Sequence, residues 1–145
     1  MADIKILDDA LDHIRKYPRR HNQSSFFSGR QGCGLYYNDM VPVAASNGDS
    51  PPCGTTLCFA GWISFLNAPE GSTLEFGGKS VSIPGRGRVD IDDYAEEVAG
   101  LSHEQAGAMF FGAATFGHLV RMIGQVKADA DADGEALLTA AGLLI

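Results

Sequence analysis

The sequence predicts an α+β fold: a mainly helical single domain around one buried central helix, with one small antiparallel hairpin. Three observations carry this expectation. Ile4, Leu7, Leu11 and Ile14 recur at helical spacing with Asp8, Asp9, Asp12 and Arg15 between them, the pattern of a one-sided surface helix. The stretch from Thr55 to Leu66 is apolar on almost every side, as a helix enclosed by its neighbours would be. Thr73-Leu74-Glu75-Phe76 and Lys79-Ser80-Val81-Ser82-Ile83 alternate in the strand period on either side of Gly77-Gly78.

Taken in order, Asp3 is placed to cap the first helix, which runs to Lys16 and stops before Pro18. Residues 18–52 are rich in Ser, Asn, Gly, Pro and Arg and read as a long loop, with Gly34–Met40 as its one extended stretch. Phe26, Phe27, Tyr36 and Tyr37 would anchor that loop over the core. Thr55 or Thr56 would cap the central helix, and Asn67-Ala68-Pro69 would end it. After the hairpin at 73–83, Pro84–Arg88 reads as a loop, followed by helices over Ile91–Ala99, His103–Phe111 and Phe116–Lys127. Ser102 and Gln105 form a capping-box pattern, and Asp133 would cap a last helix over Gly134–Ala141. The length of 145 residues suits one domain spanning 1–145, and 45% hydrophobic residues can fill its core.

Charge and composition exclude several functions. A formal charge of −7 argues against binding duplex nucleic acid, where Lys and Arg usually dominate a face. No apolar run is long enough to span a membrane, and Met1-Ala2-Asp3-Ile4-Lys5 lacks the apolar stretch of a signal peptide, so a cytoplasmic location is expected. The odd cysteine set of Cys33, Cys53 and Cys58 fits a reducing compartment without a disulfide framework. Four residues separate Cys53 from Cys58 and no second close pair exists, so no metal site is expected from them. Asp129-Ala130-Asp131-Ala132-Asp133-Gly134 imitates the opening of a calcium loop, but Ala140 stands at the twelfth position, where a bidentate Glu belongs. That stretch reads as an acidic turn capping the last helix. No cofactor is expected.

The candidate chemistry lies around residues 53–62. A Gly54-Thr55-Thr56 start to an apolar helix would expose unpaired N–H groups, two hydroxyls and the positive helix end, an anion-binding combination; equally, the threonines would serve as caps alone. Arg15, Lys16, Arg19, Arg20 and His21 form a basic cluster against the acidic trend, and Phe26 and Tyr36 offer rings for stacking. Together, Arg19, Arg20, Gln23, Phe26, Tyr36, Gly54, Thr55 and Thr56 would cradle a small, nucleotide-like anion.

The pattern Cys53-Gly54-Thr55-x-x-Cys58-x-Ala60-Gly61-Trp62 resembles a family of small uncharacterised proteins of actinobacteria, other bacteria and their phages. The likeness extends to Pro18, to Asn22-Gln23 with Phe26 (Asn22 replacing the usual acid), and to Leu101-Ser102-His103-Glu104-Gln105-Ala106. It implies a small bacterial or phage protein and no particular activity. Papain-type enzymes offer a weaker likeness, because their nucleophile opens a helix in a Cys-Gly-x-Cys-Trp setting and an upstream Gln meets the oxyanion. The wider cysteine spacing here departs from that pattern.

The leading expectation is therefore a non-enzymatic accessory protein that binds a small anionic ligand or docks on a host protein. The alternative is a cysteine-dependent hydrolase or transferase using Cys53, with Gln23 and His103 or His118 in the supporting roles. A further alternative is a structural virion or assembly component. Self-association enters as well, because Phe110, Phe111, Phe116, Leu119, Met122, Ile123 and Val126 form either a core stripe or, where exposed, a dimer face.

Overall fold

The computed structural model describes residues 2–23, 26–29, 38–47 and 55–143. Its elements in chain order are α1 (Ile4–Lys16), a 3-10 turn (Pro18–Arg20), β1 (Phe27–Gly29), β2 (Met40–Pro42), α2 (Ala44–Asn47), β3 (Thr55–Leu57) and α3 (Phe59–Asn67). Then follow β4 (Thr73–Glu75), β5 (Ser80–Ile83), β6 (Gly87–Asp90), α4 (Ile91–Ala99), α5 (His103–Met109), α6 (Phe116–Ala128) and α7 (Gly134–Ala141). The fold is α+β, mainly helical, with α3 at its centre. No helix among the described residues is long and apolar enough to cross a membrane.

α1 forms as its pattern predicts. The Asp3 carboxylate accepts from the Ile6 N–H, and Leu7, Ala10, Leu11 and Ile14 make the buried face. The central helix differs at its start. Thr55, Thr56 and Leu57 are a strand, paired antiparallel with Phe27–Gly29, so neither threonine caps a helix. β-branched residues with alternating burial fit a pleated ribbon better than a first helical turn. The cap is Cys58, whose Sγ accepts from the Gly61 N–H at 3.3 Å. Every residue from Phe59 to Phe65 is buried, which the apolar run had required.

The described residues form two small sheets rather than one. β1 and β3 form the first; the second has the order β2-β4-β5-β6, antiparallel throughout. Val41, Leu74, Val81 and Val89 stand opposite one another in one row across its four strands, with the first three buried. This row fixes the register, because a slip of one residue would turn the apolar set to solvent. The hairpin expected at 73–83 is present, joined by Phe76–Lys79 rather than by two residues. Gly77 there has φ +77, and its N–H donates to the Phe27 carbonyl, which holds the turn against the smaller sheet.

The loop expected at 84–88 is shorter than the sequence suggested. Gly85 and Gly87, both at positive φ, turn the chain back so that Gly87–Asp90 adds the edge strand β6. Likewise residues 18–52 hold regular pieces, the 3-10 turn, β1, β2 and α2; of the extended stretch expected at 34–40, residues 34–37 lie outside the described residues and only Met40 belongs to a strand, Met40–Pro42.

The C-terminal helices follow the expected caps. Ser102 and Gln105 satisfy each other's backbone N–H groups in a capping box, and α5 ends at Met109 rather than Phe111. Gln105 Nε2 also donates to the carbonyls of Ala130 and Ala132, fastening the acidic turn between α6 and α7 onto α5. Asp133 caps α7 through the Ala136 N–H, so a helix-capping role for that turn holds.

Candidate functional site

The start of α3 is closed by its own chain. Residues 20–23 run beside 57–59: the Asn22 N–H donates to the Leu57 carbonyl, and Trp62 Nε1 donates to the Arg20 carbonyl at 3.1 Å. Gln23, buried at this crossing, uses both ends of its amide. Oε1 accepts from the Phe59 N–H at 3.0 Å and from His21 Nε2 at 2.8 Å, while Nε2 donates to the Met109 carbonyl at 2.7 Å. One side chain therefore clasps the 20–23 strap, the first turn of α3 and the end of α5. Burial holds the His21 imidazole below its ordinary pKa, against a smaller opposing effect of the Gln23 hydrogen bond. The Trp62 ring beneath the strap stacks with Tyr17 at 6.4 Å and meets Phe65 edge-on at 6.2 Å.

In this arrangement the described residues of the expected anion cradle do not gather around one open helix end. Thr55 is fully buried and Thr56 shares a 3.1 Å hydrogen bond with Ser28, so both hydroxyl-bearing residues belong to the β1-β3 ribbon. Phe26 is partly buried against the core rather than presented for stacking. Arg19 is exposed, and Arg20 lies on the strap with its carbonyl turned to Trp62. The strap does bring Arg20 and Gln23 beside the helix start, but Gln23 itself occupies the Phe59 amide there. Tyr36, Cys53 and Gly54 lie outside the described residues.

The supporting residues of the cysteine reading are separated as well. Gln23 meets α5 at its last residue, Met109, whereas His103 opens that helix six positions earlier, about 9 Å away along the axis. His103 is 94% exposed and its Nδ1 lies 3.0 Å from Glu96. Cys58 is no substitute nucleophile, since burial pushes its thiol up to about 11.

The structure draws together a different set. On α4, Asp92, Asp93 and Glu96 face the start of α5, and with His103 they border a groove of about 220 Å³ floored by Ala106, Gly107 and Phe110. Carboxylate oxygens of Asp90, Asp92 and Asp93 lie within 4.8 Å of one another. Asp92 raises the pKa of the exposed Asp93, helped by slight desolvation and by Asp90 and Glu96, with His103 opposing. Three exposed or half-exposed carboxylates could touch a cation but fall short of the about six to eight oxygens that Ca²⁺ takes. Concentrated negative charge beside an apolar floor suits a Lys or Arg side chain, whose stem and head differ in the same way. Sequence reasoning passed over this set. Its signal was the spacing Asp92-Asp93-x-x-Glu96, which puts acids on one helical face just ahead of His103.

Comparison with protein-family models, with curated proteins and with solved structures finds no match for this chain.

Proposed function

We propose that this chain is a non-enzymatic accessory protein of a phage or its bacterial host, and that it acts by docking on a host protein through the α4-α5 groove. The observation that carries this reading is the gathering of Asp92, Asp93 and Glu96 over the floor of Ala106, Gly107 and Phe110. Its partner would offer a basic segment, and the net charge of −7 would steer the two together. The phage or bacterial setting rests on the resemblance carried by residues 53–62. Sequestration of a small anion is the weaker reading, because it retains the exposed guanidinium of Arg19 without the helix-end amides it needs. A Cys53 enzyme is weaker again, with Gln23 engaged in the clasp and His103 distant from it.

The test is a capture experiment on host extract with the folded chain and with an Asp93→Lys/Glu96→Lys variant. A discrete protein retained by the first and lost by the second is expected. Retention by both would remove the groove as the docking face. A panel of nucleotides screened by melting temperature addresses the anion reading, since ligand at 100 times its Kd stabilises by about 2.7 kcal/mol. A shift of that size would replace the docking proposal.

A further inference from the structure

We infer that the groove between α1 and α6 is the interface on which a second copy of this chain seats, giving a two-fold dimer. The two helices run antiparallel here. At one end Lys127 Nζ lies 3.0 Å from Asp8, and at the other Arg15 pairs with Asp12 at 3.0 Å while its guanidinium sits 5.4 Å from the Phe116 ring centre. The groove between these ends, about 400 Å³, is floored by Leu11, Val120, Ile123 and Gly124.

Charge complementarity selects a second copy as the occupant. On a chain of net charge −7, two copies repel over most approaches, and burying like charges against each other is costly. This groove is balanced: Asp8 and Asp12 against Arg15 and Lys127, with one ion pair at each end. A two-fold rotation about an axis across the helices lays α1 over α1 with its direction reversed. Arg15 then faces Asp8 of the second copy, and the same pair recurs by symmetry at the other end, as an isologous interface requires. Opposite charges meet at both ends and the apolar floor meets itself between them.

The surface of α6 fits close approach. Val120 is 39% exposed, among the most exposed large apolar side chains of the described residues. Gly124 faces outward one turn further on, with nothing within 4 Å of where a Cβ would stand. Among the described residues nothing crowds that position, although glycine costs a helix interior about 1 kcal/mol relative to Ala. Glycine there leaves room for a helix of a second copy to come close.

Sedimentation of the full chain over a range of concentrations tests the inference, with Gly124→Arg and Val120→Asp as variants. Arg fits the open surface at 124 within one copy and is a better helix former than Gly, so the fold survives and circular dichroism checks that it does. The expected result is a concentration-dependent dimer, weakened about tenfold or more in Kd by each variant. A chain monomeric at every concentration would overturn the inference. So would a dimer indifferent to both substitutions, which would place the interface elsewhere.

Discussion

Gln23 has one carboxamide and three hydrogen-bonding partners on three segments of chain, and none of the three is close to it in sequence except His21. An amide is suited to the task because it accepts and donates at once, which neither a carboxylate nor an ammonium can do. Replacing it by Leu keeps the volume but leaves the Phe59 N–H and the Met109 carbonyl buried and unpaired. Gln23→Leu is therefore expected to cost about 2–4 kcal/mol, read as a fall in the urea midpoint. From the sequence Gln23 was expected in an anion cradle or in support of Cys53, not as a clasp between chain segments. Its partners are 36 and 86 residues away, and no local pattern encodes them.

At the scale of the element, caps and helical faces were readable, whereas the start of α3 was not. The capping box of α5 and the Asp caps of α1 and α7 involve residues three apart, so local geometry decides them. Thr55 and Thr56 suit either a cap or a strand, and pairing with Phe27–Gly29 settles the matter from outside the segment. Two glycines give opposite tests of how these helices are packed. A methyl at Gly61, in the first turn of α3, would collide with the Phe26 carbonyl and crowd Leu57. Gly61→Ala is expected to destabilise by about 1–3 kcal/mol. Gly107 on α5 has nothing within 4 Å of a Cβ, so Gly107→Ala should stabilise by about 0.5–1 kcal/mol. Urea titration of both variants checks the signs together.

For the molecule as a whole, the strap over α3 couples stability to pH through His21. Its pKa lies below the ordinary 6.5 because the imidazole is partly buried, so the folded state holds fewer protons than the unfolded chain in the interval between the two values. That contribution is complete above pH 6.5 and is lost as the pH falls through the folded value. Urea midpoints measured between about pH 7.5 and about pH 5.5 should decline for the natural chain and decline less for His21→Gln.

Composition and periodicity by themselves determined the α+β class, the buried character of residues 59–65, the hairpin and most helix boundaries, since each depends on neighbours within about one or two turns of chain. The tertiary structure alone decided that Thr55–Leu57 pair as a strand, that Gln23 fills the helix start proposed for an anion, and that acids on α4 meet His103 across a groove. The physical reason is the same in each case: whether a polar group is free for a ligand depends on what distant chain segment has already claimed it.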